Sequence, residues 1–132
     1  MPLTYRIYED AGILFVRGTG LMSQLERVQT MLAWLADPSY QTCVDALCDF
    51  SEAESTPKLA ELKELVAILE RRLPPRGPKK VAIVTAKPIT FGVARVFEDL
   101  VALEGVPLQV KVFFDREHAW AWLRPSTPRP EE

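Results

Sequence analysis

The polar residues that could do chemistry lie where predicted strands end. They are Thr19, Asp49, Ser51, Thr85, Lys87, Thr90 and Asp115. Asp49 and Asp115 could act as general acid and base if both reach one substrate within hydrogen-bond distance. Lys87 could bind an anionic group while a nearby threonine donates a hydrogen bond. Because ligands of open α/β sheets bind outside the carboxyl ends of the strands, these residues are candidates for a ligand rim.

A structural interpretation of the same residues stays open. Asp115 could cap the helix that follows it, Lys87 could be a solvated turn residue, and Thr19 could be a polar residue beside a hairpin. The Gly18-Thr19-Gly20 segment lacks the third glycine of a dinucleotide-binding fingerprint. His118 has no nucleophile at motif spacing, so the sequence predicts no nucleophile–base pair.

Ser55 and Thr56 form a second candidate site. They precede Pro57 and an apolar helical pattern, which predicts Thr56 as an N-cap and Pro57 as the first helical residue. A phosphate at such a helix start would be favoured by free N–H groups and by the helix dipole. Both residues are therefore candidate phosphoacceptors, and an ordinary helix start is the alternative.

Length and charge limit the classes of function. A chain of 132 residues, 48% of them hydrophobic, fits one domain with one core. A formal net charge of −2 gives no indication of nucleic-acid binding. The sequence shows no targeting signal, and its apolar runs fall short of the roughly 18 residues that a membrane span needs. We expect a cytoplasmic protein without a membrane span.

The cysteines do not indicate redox or metal chemistry. Two cysteines and one histidine cannot build a structural zinc site. Cys43 and Cys48 lie five residues apart in one predicted strand, so they should point to opposite faces and not pair with each other. We interpret them as buried thiols and predict neither a metal nor a cofactor.

The order of predicted elements is ββαβαβαβα. Two β-rich runs at 5–8 and 13–16 are separated by a short turn with a glycine, which predicts an antiparallel hairpin. Further strands are predicted at 44–50, 81–85 and 108–114, with helices between them. Such alternation implies a mostly parallel sheet with right-handed crossovers and helices packed on it, an α/β fold whose first strand is antiparallel.

Apolar stripes at helical spacing predict which side of each helix is buried. The stripes are Leu21, Leu25, Val28, Leu32 and Leu35; Leu59, Leu62, Val66, Leu69 and Leu73; and Ile89, Val93, Val96, Phe97 and Leu100. Ser23 and Glu26 predict a capping box at the first helix, and Gly105 ends the third. Residues 1–123 are predicted to form a single domain, and the proline-rich tail 124–132 is predicted to be disordered.

Several packing segments carry a resemblance to a known family. They are Leu35–Tyr40, Lys80–Val84, Phe91–Glu98, Val112–Asp115 and Ala119–Leu123. With these segments the chain resembles the SpoIIAA-like branch of the STAS and Sec14-like (CRAL-TRIO-like) group over about residues 4–123. The resemblance implies that Gly92 permits close helix–sheet approach and that Phe97 and Trp122 belong to the core.

The resemblance implies a non-enzymatic signalling or protein-interaction module whose partner is another protein or a second copy of the chain. Anti-sigma factor antagonists of this group carry a phosphorylatable serine in an Asp-Ser-Ser-Gly-like turn. The corresponding turn here, Glu54–Pro57, keeps the hydroxyls and has proline in place of glycine.

Two alternatives stay open beside the signalling module. The Sec14-like side of the group implies a binding protein for a small apolar or lipid-like ligand, held in a cavity under the helices of Leu59, Leu62, Ile89 and Val93. The other alternative is an enzyme that uses Asp49, Lys87 and Asp115 at the rim.

Overall fold

Across residues 2–43, 45–75 and 79–124, the residues that it describes, the computed structural model forms a five-stranded sheet with the order β1-β2-β3-β4-β5. The strands are β1 Leu3–Tyr8, β2 Ile13–Gly20, β3 Asp45–Ala53, β4 Lys80–Val84 and β5 Gln109–Phe113. The helices are α1 Gln24–Ala36, α2 Leu59–Arg72, α3 Pro88–Leu103 and α4 Arg116–Leu123, with a 3-10 turn at Pro38–Thr42. β1 is antiparallel to β2, and the other neighbours are parallel. The predicted α/β class and element order are confirmed.

The predicted hairpin is present and longer than the sequence indicated. Its register runs from Leu3 opposite Gly18 to Tyr8 opposite Ile13. Gly12 closes the turn with a φ of 65°, a conformation that side chains disfavour. Val44 and the tail residues 125–132, for which a strand position and disorder were predicted, lie outside the described residues.

The sheet separates two cores, because successive residues of a strand face opposite sides. One face packs against α1, α2 and α3 through residues such as Leu14 and Ile83. The other face packs against α4, and its buried residues are Ile13, Leu47, Ala82, Val84, Ala119, Trp120 and Leu123. We call these the three-helix face and the α4 face.

The Ser23 half of the predicted capping box is confirmed, whereas the Glu26 carboxylate bonds to the backbone of β1. Ser23 Oγ accepts a hydrogen bond from the Glu26 N–H at 3.1 Å. The Glu26 carboxylate accepts one from the Leu3 N–H at 3.2 Å, which ties α1 to the edge strand.

The predicted start of α2 at Thr56 and Pro57 is wrong. The helix begins at Leu59, with Lys58 as its N-cap residue, and the Lys58 N–H donates to Glu61 Oε1 at 2.8 Å. The strand before it runs on to Ala53, and the hydroxyl of Ser55 is held by a distant backbone. A tertiary contact therefore overrides the local helix-start signal.

The predicted apolar stripes are only partly buried. Leu21, Leu25, Leu59, Ile89 and Val96 are exposed. The buried helix residues are Thr30, Met31 and Leu35 of α1; Leu62, Leu65, Val66, Ile68 and Leu69 of α2; and Thr90, Ala94 and Val101 of α3. In α3 the buried side is turned by one residue, about 100° of helix rotation, from the predicted one. Apolar residues occur all around α3, so spacing alone could not choose its buried side.

The close approach expected at Gly92 is also wrong. Gly92 is exposed, and a Cβ added there would meet nothing within 4 Å. The close approach occurs instead at Gly18, where an added Cβ would lie 2.6 Å from the ring of Phe50. Phe97 and Trp122 are partly buried, each packed against one of the two cores.

Cys43 and Cys48 are both free thiols. Cys43 lies before β3 rather than in it, and is buried, while Cys48 is partly buried within the strand. Burial raises the pKa of Cys43 to about 11 and that of Cys48 to about 12. Both thiols are therefore protonated at neutral pH and are poor nucleophiles.

Candidate functional site

Asp49 is buried on the α4 face and already has a structural partner. Its Oδ2 accepts a hydrogen bond from Arg116 Nε, and its Oδ1 accepts one from the Ser51 N–H at 2.9 Å. Burial alone would raise the pKa of Asp49, but the hydrogen bonds from Ser51 and Arg116 outweigh burial and lower it. Asp49 is thus ionised at neutral pH and paired.

Asp115 caps α4. Its Oδ1 accepts a hydrogen bond from the His118 N–H at 2.8 Å, and its Oδ2 lies 2.7 Å from His118 Nδ1. The backbone and side-chain contacts with His118 lower the pKa of this exposed carboxyl group. The capping role, one of the two alternatives for Asp115, is what the structure shows.

Of the remaining rim residues, two bond to backbone carbonyls and two are buried. Thr19 Oγ1 donates to the Pro2 carbonyl at 3.4 Å, and Lys87 Nζ donates to the Ala53 carbonyl at the same distance. Thr85 and Thr90 are buried on the three-helix face. The structure therefore brings the two threonines together and places Asp49 on the opposite side of the sheet.

The three-helix face contains a partly open apolar cavity of about 160 Å³. Its wall is formed mainly by side chains of the sheet and of all three helices, among them Leu14, Val16, Met31, Leu62, Leu65, Leu69, Ile83, Val93, Ala94 and Phe97. A dry apolar cavity of about 150 Å³ is large enough to bind benzene. Of the residues under which a cavity was predicted, Leu62 and Val93 line it, whereas Leu59 and Ile89 are exposed.

Few polar groups interrupt this wall, and the hydroxyls of Thr85 and Thr90 differ in their hydrogen bonding. The Thr90 hydroxyl donates to the Lys87 carbonyl at 3.2 Å. The Thr85 hydroxyl, at the end of β4, is buried and has no hydrogen-bond partner among the described residues. The sequence indicated Thr85 as a hydrogen-bond donor at a ligand rim. It did not indicate that Thr85 lines the cavity beneath the helices.

Ser55 lies where β3 leads into α2 and lines the cavity. Its Oγ accepts from the Met22 N–H at 2.9 Å and donates to the Met22 carbonyl at 3.3 Å. Ser55 and Thr56 precede the first residue of α2 by four and three positions, so neither caps the helix. Their phosphorylation stays a prediction, now without the helix-start argument that motivated it.

Arg27 is a cavity residue that the sequence interpretation missed. Its side chain is 10% exposed, and Nη1 lies 3.9 Å from Glu61 Oε1. Nη2 donates to Ser55 Oγ at 3.3 Å. Burial lowers the pKa of Arg27, against the opposing effect of Glu61 and Glu26. Arg27 precedes the buried Met31 by four positions, and this spacing is the signal that could have revealed it.

Two ion pairs attach the last helix to the central strand on the α4 face. Asp49 pairs with Arg116, and Asp45 Oδ2 accepts from Arg124 Nε at 3.0 Å. Asp45 and Asp49 are both buried and lie four residues apart in β3, hence on one face. Buried carboxylates require partners, so this spacing was the available signal for the missed arginines.

Residues 2–43, 45–75 and 79–124 contain no group of three or more His, Cys, Asp or Glu side chains that could hold a metal ion. In the same part of the chain, no helix is both long and apolar enough to cross a membrane.

Comparison with known proteins identifies the fold. An uncharacterised protein of the DUF3478 family from Shewanella loihica PV-4, described as having a SpoIIAA-like fold, superposes with a TM-score of 0.56. The two chains are 22% identical, and the match covers 92% of this chain and 91% of the other. The fold is SpoIIAA-like. This likeness confirms that part of the predicted resemblance and gives no support to the Sec14-like grouping. Neither a protein-family model nor a curated protein matches the chain.

Proposed function

We propose that the chain is a non-enzymatic cytoplasmic binding module that holds a small apolar ligand in the cavity of the three-helix face. The observation that carries the proposal is an apolar cavity of about 160 Å³ beneath three helices. Its wall is almost wholly apolar, so an apolar ligand that enters it removes apolar surface from water.

The ionisable groups near the strand ends support a non-enzymatic role. Asp49 is paired with Arg116, and Asp115 is occupied as the cap of α4. A hydroxyl nucleophile needs an adjacent base, and Thr85 Oγ1 has no hydrogen-bond partner in the described part of the chain. The polar residues of the cavity are therefore suited to binding rather than to catalysis.

Titration calorimetry with toluene tests the proposal. We expect toluene to bind the wild-type protein and to raise its melting temperature. Ala94→Leu should abolish both effects, because Ala94 is buried in the cavity wall and the larger side chain fills the space. Ala102→Leu is the matched control, since Ala102 is exposed on the same helix. Equal binding by the wild type and Ala94→Leu would contradict the proposal.

A protein-interaction role is a second candidate, favoured by the exposed apolar side chains. Five of the exposed apolar residues follow a strand end or lie in the first turn of a helix, which places them at the carboxyl edge of the sheet. These five are Leu21, Leu25, Leu59, Ile89 and Phe114. Phe114 stacks on Phe91 with ring centroids 4.4 Å apart. Apolar residues gathered at one edge are typical of an interaction surface for a second protein.

Light scattering tests whether that second protein is another copy of this chain. A self-associating protein should become monomeric on Ile89→Ser and stay associated on Leu103→Ser, since Leu103 is exposed at the other end of α3. A wild-type protein that is monomeric at high concentration would exclude self-association through this edge.

A further inference from the structure

We infer that the ligand carries one neutral hydrogen-bonding group on a small apolar body, and that Thr85 Oγ1 binds this group. The inference rests on the proposed function and adds to it the chemical class of the ligand. A monocyclic phenol has the required chemistry: one ring and one hydroxyl group.

Thr85 is buried and its backbone is hydrogen-bonded, while its hydroxyl has no partner among the described residues. The residue is 1% exposed and directly follows β4. Its backbone N–H donates to the Phe113 carbonyl at 2.9 Å, which fixes the chain at this point. Its Oγ1 has no hydrogen-bond partner among residues 2–43, 45–75 and 79–124. A buried hydroxyl left unsatisfied is destabilising, and valine would fill nearly the same volume without that penalty.

The neighbouring hydroxyls show that the surroundings can satisfy such groups. Thr90 Oγ1 donates to the Lys87 carbonyl, and Ser55 Oγ bonds to both the N–H and the carbonyl of Met22. Thr85 differs from both although it lines the same cavity. A buried water is a poor substitute for a ligand, because it needs two to four polar partners and the wall is mostly apolar.

The size and charge of the cavity limit what it can bind. A volume of about 160 Å³ is close to that of cavities that bind benzene, so the ligand has roughly six to ten non-hydrogen atoms. The charged side chain of the wall, Arg27, already has Glu61 as a carboxylate neighbour at 3.9 Å. A neutral polar group therefore fits better than a carboxylate.

The test compares phenol with toluene, which have equal numbers of non-hydrogen atoms and differ by a hydroxyl in place of a methyl group. Dissociation constants are measured by calorimetry for the wild type, Thr85→Val and Thr90→Val. We expect Thr85→Val to lower the preference for phenol over toluene about tenfold. Thr90→Val should leave the preference within about twofold of the wild type, because its hydroxyl is already bonded within the protein.

The outcomes separate the inference from the proposed function. If toluene binds and the phenol preference is the same in the wild type and Thr85→Val, the inference is overturned while the proposed function stands. If neither compound binds the wild type, both fail. An equal fall in preference for Thr85→Val and Thr90→Val would also overturn the inference, because it would show a general effect of wall polarity.

Discussion

The two faces of one sheet are packed in different ways. The three-helix face has the larger helical layer and contains a partly open cavity of about 160 Å³. The α4 face is covered by a helix of 8 residues, which is attached by Asp45–Arg124 and Asp49–Arg116. Among the described residues, the Thr85 hydroxyl on the first face and the Tyr8 hydroxyl beside the second have no hydrogen-bond partner, whereas the two buried carboxylates of the second face have arginine partners.

This difference separates structural polar groups from binding groups. The sequence suggested that Asp49 is a catalytic or ligand-binding residue because it lies near a strand end. In the structure Asp49 pairs with Arg116 and has a structural role. Thr85 lies near an end of the same sheet, and its hydroxyl has no hydrogen-bond partner among the described residues; in our proposal it binds the ligand. The α4 face can hold the sheet rigid while the three-helix face retains space for binding.

The largest expected effect comes from breaking the α4 attachment. Asp49→Ala should lower the free energy of unfolding by about 3 kcal/mol, because it breaks the ion pair that the buried Asp49 carboxylate makes with Arg116. Urea denaturation measures this change. Asp10→Ala, at an exposed position, should change it by less than about 0.5 kcal/mol. A loss below about 1 kcal/mol for Asp49→Ala would show that the pair does not hold α4.

A smaller change in the free energy of unfolding, opposite in sign for Thr85→Val and Thr90→Val, is expected for the two cavity threonines. Thr85→Val should raise the free energy of unfolding of the ligand-free protein by about 1 kcal/mol, because it removes an unsatisfied buried hydroxyl. Thr90→Val should lower it by about 1 kcal/mol, because it removes the hydrogen bond to the Lys87 carbonyl. Chemical denaturation without added ligand measures both. Destabilisation by Thr85→Val would mean that its hydroxyl is satisfied.

The smallest expected effect is a loss of folding stability at acid pH, caused by protonation of Asp49 on the α4 face. The folded-state pKa of Asp49 is below its ordinary value of 3.8, so the folded protein binds fewer protons than the unfolded chain as pH falls below about 5. The stabilisation from Asp49 is complete above that range and is lost as pH falls through the folded-state pKa. Asp49→Asn should therefore show a shallower loss of stability between about pH 5 and pH 2 than the wild type. Parallel curves for the two proteins would contradict this assignment.

Features set by local chemistry were predictable from the sequence. Ser23 and Asp115 cap their helices as expected, and Gly105 ends α3 with a φ of 68°. Local signals failed where distant residues compete, as when Ser55 bonds to Met22 instead of belonging to a helix start. The buried side of α3 could not be predicted, because Ile89 and Val96 are exposed although both are apolar.

The candidate site was predictable only in part. Thr85 was singled out because it ends a strand, but a stripe that lines a cavity has the same spacing as a stripe that fills a core. Arg27 and Arg116 were missed because their partners Glu61 and Asp49 are distant in the chain. Spacing along one element can indicate that Arg27 or Asp49 is buried, but it cannot identify the distant residue that pairs with it, because that depends on the assembled sheet.

The most direct test of the central claim is the location of bound toluene by nuclear Overhauser effects to assigned methyl groups. Toluene bound in the three-helix face should contact Leu14, Leu69 and Ile83, which line the cavity. It should not contact Leu47 or Leu123 in the core of the α4 face. Contacts confined to the α4 face, or to the exposed Leu21 and Leu25, would contradict the claim that the three-helix face is the binding site.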